Sequence, residues 1–364
     1  MLNDAGMPPL DIGPDDPILA YFASARGPAE VDALNFDSPA VAALKASGIK
    51  LVVPLVNQGE LVGLLNLGPR MSEQDYSTDD RTLLERLATQ AAPAVRVALL
   101  VRAQEAEARA RERIAQELEV ARLIQQNFLP KHVPELIGWQ LAARYQPARE
   151  VGGDFYDFIE LPEGCLGIVL GDVSGKGVPA ALLMSATRAV LRASAQRLMA
   201  PGEVLRRANE VLCPDMPRNM FVTCFYAVLD PVSARLRYAN AGQSLPYLRT
   251  ETGVVELRAC GMPLGLLPDM GYDEKEVEVV PGASVLFHSD GLAEAHDVEG
   301  QMFGMPRLRA LVASGSGGAE LISQLLAELG RFARAGEQED DVTLVTLERA
   351  PDGADYDGSH ERVG

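Results

Sequence analysis

The sequence predicts an α+β fold of layered strands and helices, preceded by a long helix and a small α/β unit. Three observations carry that expectation. Strand-like runs crowd residues 139–348, and only the helical segments 178–199, about 202–212 and 318–334 interrupt them, so strands and helices do not alternate as βαβ units. A helical pattern runs through 78–129 without glycine. Ahead of it, "IKLVVPLVNQGELVGLLNLGP" (49–69) reads as strand, Gln-Gly turn, strand.

The elements follow in order. In "STDDRTLLERLATQAAPAVRVALL" (77–100), Ser77 or Thr78 caps a helix whose first turn is acidic, and Leu83, Leu84, Leu87 and Ala91 recur at helical spacing. The pattern continues to Phe128 and closes at Pro130, with Pro93 as a candidate kink. A single helix over 78–129 would be about 75 Å long at about 1.5 Å per residue. Its later half carries a narrow apolar stripe, Ile114, Leu118, Ala121, Ile124 and Phe128, among Arg and Glu. A solvated spacer and a parallel coiled coil pairing two chains are both open for it. From 139 the runs "WQLAARYQP", "DFYDFIEL", "CLGIVLGDV", "MFVTCFYAVLD", "ARLRYANAG", "SLPYLRT", "VVELR", "EKEVEVV", "SVLFHSDG" and "DVTLVTLE" read as strands. The division expected is 1–98, a small α/β unit; 99–130, a helical linker; 131–349, the main domain; and 350–364, a polar tail expected to be disordered.

Composition narrows the function. Apolar residues make up 47% of the 364 and charged residues 23%, as in ordinary globular proteins. The net charge of −18, with no basic block, disfavours nucleic acid and anionic membranes as partners. No apolar window reaches about 18 residues, and the start lacks a signal-peptide pattern. Cys165, Cys213, Cys224 and Cys260 are scattered and form no CxxC pair, which fits a reducing, cytoplasmic setting.

The chemistry-bearing residues are acids at strand ends. "GDVSGKG" follows an oily run and opens a helix, as a phosphate loop does, but only three residues, not four, separate Gly171 from Gly175-Lys176, and Gly177 replaces the hydroxyl. Both the P-loop and the dinucleotide fingerprint fail. What remains is Asp172 at the end of a strand. "EVGGDFYDFIEL" puts Asp154 after two glycines, with Asp157 three residues on. "SVLFHSDG" puts Asp290 after a strand, and "EDDVT" puts Asp340 and Asp341 before one. Carboxylates drawn to one sheet edge repel one another unless divalent cations sit among them, and oxygen donors suit Mg²⁺ or Mn²⁺. Turn residues beside glycine are the plain alternative for each acid alone. The four histidines show no zinc spacing.

At "ELEVARLIQQNFLP", "VGGDFYD", "GDVSGKGVPAALLM", "NAGQSLPYL", "FHSDGLAEA" and "EDDVTLVTLE" the chain resembles the bacterial SpoIIE/RsbU branch of the PPM (protein phosphatase 2C-like) serine/threonine phosphatases, over about 115–348. The resemblance implies a β-sandwich flanked by helices, with two Mn²⁺ or Mg²⁺ ions in a cleft at one end. Carried over, Asp154 binds one metal; Asp172 bridges two, helped by the Val173 carbonyl; Asp290 and Asp340 hold the other, with Asp341 the alternative to Asp340. It further implies hydrolysis of phosphoserine or phosphothreonine by metal-activated water, a phosphorylated STAS-type (anti-anti-sigma) protein as substrate, and a homodimer. Arg144, Arg149 and Lys176 are candidate phosphate contacts or plain surface cations. Gly152-Gly153 and Gly175/Gly177 are expected to turn the chain sharply, and Ser174 to be a turn hydroxyl. Gln243 stands where many relatives carry the His of "NAGH". Residues 1–98 resemble the C-terminal half of a GAF sensory domain, through "LVGLLNLG" and the helix opening at "STDDRTLLERLA". The rival class is a non-catalytic dimeric signalling scaffold.

Overall fold

The computed structural model describes residues 12–13, 15–24, 27–333 and 338–351. Most of the expected tail, from 352 on, lies outside the described residues. Contacts divide the chain into two compact units, 1–114 and 115–364.

The first unit holds α1 (Pro17–Ser24), β1 (Ala29–Glu30), α2 (Pro39–Ala46), β2 (Leu51–Asn57), β3 (Glu60–Leu67) and the start of α3 (Thr78–Phe128). Its sheet has the order β1-β2-β3. The expected Gln-Gly turn closes the β2–β3 hairpin, with Gln58 at φ 49° and Gly59 at 87°, the left-handed pair that matches the twist of a hairpin. Alternation along β2 sorts its side chains. Val52 joins Ile18 and Phe22 of α1 and Val41 and Leu44 of α2. Leu51 and Val53 face the other way, onto Ala88 and Leu84 of α3.

The helix α3 starts as the sequence predicts. Ser77 Oγ accepts the Asp80 N–H at 3.2 Å while the Ser77 N–H donates to Asp80 Oδ2 at 2.8 Å, a reciprocal cap. The helix runs 51 residues and passes through Pro93. Ile114, Ile124 and Phe128 of its apolar stripe stay exposed. Among the described residues no helix is long and apolar enough to cross a membrane.

The second unit is a two-sheet sandwich. One sheet contains β5 (Phe155–Glu160), β6 (Leu166–Val173), β7 (Val222–Asp230), β8 (Arg235–Ala241) and β11 (Glu274–Glu278), in the order β11-β8-β7-β6-β5. The other contains β4 (Trp139–Gln146), β9 (Tyr247–Thr250), β10 (Gly253–Glu256), β12 (Ser284–His288) and β13 (Val342–Arg349), in the order β10-β9-β12-β13-β4. These ten strands are the ten runs read from the sequence. All pairings are antiparallel. The shared core lies between the sheets: Phe225 of β7 meets Phe287 of β12 edge to face at 5.7 Å, beside Val285, Val345 and Leu347.

Helices cover both outer faces. Met184 and Leu191 of α4 (Val178–Ala195) and Val204 and Leu205 of α5 (Pro201–Leu212) belong to the main core. Leu308 of α7 (Met305–Ser314) and Leu321 and Leu325 of α8 (Gly318–Ala333) pack with Leu286 and Leu344, the alternate residues of β12 and β13. Between β12 and α7 lies the single turn α6 (Gly291–Glu294).

Candidate active site

Antiparallel pairing explains why the acids sit at strand starts and ends alike. Asp154 precedes β5 and Asp172 closes β6; the Phe155–Gly171 pairing puts both at one end of that hairpin. Asp290 follows β12 and Asp340 precedes β13; the His288–Leu344 pairing, extended by the Ser289 N–H donating to the Thr343 carbonyl at 3.0 Å, puts those two together as well. Each sheet therefore delivers one pair of acids. The two pairs lie near one another: Thr343 Oγ1 of β13 donates to Asp154 Oδ2 at 2.6 Å, Asp172 and Asp340 line one cleft, and the charges of Asp290 and Asp340 both raise the pKa of Asp172.

The electrostatics follow from that grouping. Burial pushes the Asp154 carboxyl well up, with the charges of Asp172 and Asp341 adding to it and hydrogen bonds from Thr343 and Ser289 opposing. Burial, then Asp290, Asp340 and Asp341, raise Asp172 to about 7, while a hydrogen bond from Asp154 opposes the rise. The Asp290 carboxyl is also raised, by burial and by Asp340. Carboxylates that raise one another's pKa are short of positive charge. Protons supply it at low pH and a hard divalent cation can supply it at neutral pH. Among the described residues no three acidic, His or Cys side chains already stand in a coordinating arrangement. The donor set is nevertheless all oxygen and strongly acidic, so it fits Mg²⁺ or Mn²⁺ and not a soft metal.

A pH dependence follows. Asp154, Asp172 and Asp290 have folded-state pKa values above that of an unfolded aspartate, so the fold binds protons that the unfolded chain releases. That contribution to stability is complete below about pH 4 and is lost as the pH rises through about 7. In EDTA the urea midpoint should fall between pH 5 and pH 8, and manganese should offset the fall at pH 8. A midpoint that rises with pH in EDTA would contradict the grouping.

Glycines let the first acid approach. A Cβ on Gly153 would meet the Val173 carbonyl oxygen at 2.7 Å and Asp172 Oδ1 at 3.1 Å, and one on Gly152 would collide with the Asp341 carboxylate and the Tyr145 hydroxyl. Neither Gly152 nor Gly153 has a positive φ, so close approach, and not the sharp turn read from the sequence, requires them. Gly175 and Gly177 do adopt left-handed φ, 93° and 81°. The Ser174 hydroxyl accepts the Phe221 N–H at 2.9 Å, a turn hydroxyl as expected.

Asp340 and Asp341 have different surroundings. Asp341 is buried, and its oxygens accept the N–H groups of Ala148 at 2.9 Å, Gly153 at 2.8 Å and Asp154 at 3.3 Å. Asp340 is half exposed and faces the Lys176 ammonium at 3.0 Å. Asp157 stands apart from these acids: it is buried against α4, where Arg192 Nη2 donates to it at 2.6 Å and Arg188 Nη2 at 3.1 Å. A cleft beside the acids is lined by Ala148, Arg149, Gly153, Asp172, Lys176 and Asp340, among others. Arg149 and Lys176 are thus candidate phosphate contacts by position, while Arg144 does not line it.

Sequence reasoning missed Gln125. Buried near the end of α3, it donates from Nε2 to the Gly152 carbonyl at 2.7 Å and accepts the Gly152 N–H at Oε1 at 3.2 Å. Its signal was a polar residue one step from the apolar stripe. Gln243 is buried too, and its Oε1 accepts from Thr223 Oγ1, whose oxygen lies 3.3 Å from the Asp172 carbonyl oxygen. It stands behind Asp172 as a neutral hydrogen-bonding group.

Comparison with known proteins agrees with the fold. The family model described as Stage II sporulation protein E (SpoIIE) matches residues 162–350, and that described as GAF domain matches 26–96. Protein IcfG of Synechocystis sp. is 32% identical over 263 residues, 64% of this chain and 41% of IcfG, so the chain spans less than half of that relative. Phosphoserine phosphatase RsbU of Bacillus subtilis is 29% identical over 242 residues, 65% of this chain and 71% of RsbU. The solved SiaA-PP2C domain of Pseudomonas aeruginosa superposes with a TM-score of 0.59 at 25% identity, covering 66% of this chain and 98% of that domain. The SpoIIE match takes in more than half of the residues and lies on a sandwich of the PP2C type: the chain belongs to the SpoIIE family of PPM serine/threonine phosphatases.

Proposed function

We propose that the chain hydrolyses phosphoserine or phosphothreonine on a signalling partner protein, using two Mn²⁺ or Mg²⁺ ions held by Asp154, Asp172, the Val173 carbonyl, Asp290 and Asp340. The observation that carries this reading is that two antiparallel strand pairs, one in each sheet, bring Asp154, Asp172, Asp290 and Asp340 to one end of the sandwich, where burial and neighbouring acids raise the carboxyls of Asp154, Asp172 and Asp290. When bound, such ions supply a lowered water pKa and neutralise charge developing on phosphoryl oxygens. The chain's own residues do the rest. Thr343 orients Asp154. Gly153 admits that acid beside the Val173 carbonyl. Asp341, with its oxygens already occupied by backbone N–H groups, acts as the brace of this loop and Asp340 as the ligand. Arg149, on the cleft wall, meets the phosphate.

The substrate proposed is a phosphorylated STAS-type protein, on the strength of the likeness to phosphoserine phosphatase RsbU. The division proposed is a GAF-type sensory domain over 1–98, a helical connector over 99–130 and a phosphatase domain over 131–349. The exposed Ile114, Ile124 and Phe128 support pairing of two chains along the connector.

The test compares manganese-dependent hydrolysis of a phosphoserine-bearing STAS protein with that of free phosphoserine. Remote binding energy should make kcat/KM on the protein at least about a hundredfold higher. Equal rates would point to a small-metabolite hydrolase, and no turnover on either, or on an aryl phosphate, would favour the scaffold reading.

A further inference from the structure

The turn after Asp172 carries a lysine between two left-handed glycines, Gly175 and Gly177. Any side chain at either position would be strained, so the turn that presents Lys176 is fixed by sequence. From it the Lys176 ammonium crosses to the loop before β13, where it donates to the Glu339 carbonyl at 2.5 Å and pairs with Asp340 Oδ2 at 3.0 Å. The same loop has other anchors. His296 Nδ1 lies 2.8 Å from Glu339 Oε2, and Gln338 Nε2 donates to the carbonyls of Gln146 and Asp340, both at 2.8 Å. Lys176 is therefore not needed to hold the loop in place. Its pairing neutralises Asp340, which is half exposed.

We infer that Lys176 is a tethered counter-ion that holds the Asp340 carboxylate and must yield it to an incoming divalent cation, so that this lysine weakens cation binding at Asp340. The inference rests on the metal-site reading above. An ammonium and a divalent cation cannot share one carboxylate without mutual repulsion, and the half-exposed setting makes the exchange easy. The lysine thereby sets how much free cation the cleft needs before it fills. Once displaced it remains on the cleft wall with Arg149, the side from which a phosphate would be met.

Calorimetric titration with manganese chloride, on the full chain and without substrate, tests this. Lys176→Met should bind the weaker of the two ions about three- to tenfold more tightly than the unsubstituted chain. In an Asp340→Asn background the same substitution should bring no such gain. Unchanged or weaker binding in Lys176→Met, or an equal gain without Asp340, would overturn the inference. A chain that shows no saturable manganese binding, or binding that Asp172→Asn leaves unaltered, would instead overturn the metal-site reading. Urea melts of Lys176→Met in EDTA matching those of the unsubstituted chain show that its titration reports binding and not misfolding; a large loss of stability would refute the claim that the loop stands without this lysine.

Discussion

Asp172→Asn is expected to lower manganese-dependent turnover by about a thousandfold or more and to remove saturable binding of at least one ion. Asp172 is the acid that the others surround: Asp154 bonds to it, and Asp290, Asp340 and Asp341 each raise its pKa. Its pKa is raised to about 7, so at neutral pH it is ready to exchange a proton for a cation. Asparagine keeps the size and removes the charge. Stability in EDTA should therefore be equal or higher, because one repelling carboxylate has gone. Loss of activity with unchanged or improved stability separates a site role from a folding role. A variant that retains a tenth of the activity would contradict the assignment.

Asp341→Ala should show the opposite pattern. Its carboxylate satisfies three backbone N–H groups of the loop that carries Asp154. Removing it leaves buried donors without partners, each worth about 1–3 kcal/mol, so a loss of about 3–5 kcal/mol in unfolding free energy is expected. Asp341→Asn should lose much of the same amount, since an amide nitrogen cannot accept those bonds. Asp340→Ala, which removes only a half-exposed ion pair, should lose less than about 1 kcal/mol in EDTA while weakening manganese binding. Urea denaturation in EDTA reads all three, and a larger loss for Asp340→Ala than for Asp341→Ala would reverse the roles proposed here.

How much of this was legible beforehand depends on the range of the cause. The strands of the sandwich announce themselves through local alternation and turn residues, and all ten were read in place. The two-sheet arrangement came with the family likeness, because nothing local in "SVLFH" says that Phe287 meets Phe225. The acids stood out because antiparallel pairing gathers strand starts and ends, a rule that needs no coordinates. The different surroundings of Asp340 and Asp341 were hidden, because Asp341 is bonded by the backbone of Ala148 and Gly153, nearly two hundred residues away in the chain. Gln125 was hidden for the same reason: its partner is the Gly152 peptide. Asp157, three residues after Asp154, has its role fixed by two arginines of α4 that no local pattern pairs with it. Among the shorter helices, α6 spans one turn and α7 follows a glycine without a side-chain cap, so neither carries a strong local signal.

The central claim is that acids from two antiparallel strand pairs, one in each sheet, come together to hold divalent cations. Anomalous diffraction from crystals grown with manganese tests it most directly. The account predicts two peaks among Asp154, Asp172, Asp290 and Asp340, with Asp172 touching both and Asp341 touching neither. Peaks absent from that end of the sandwich, or ligated by Asp341 in place of Asp340, would contradict it.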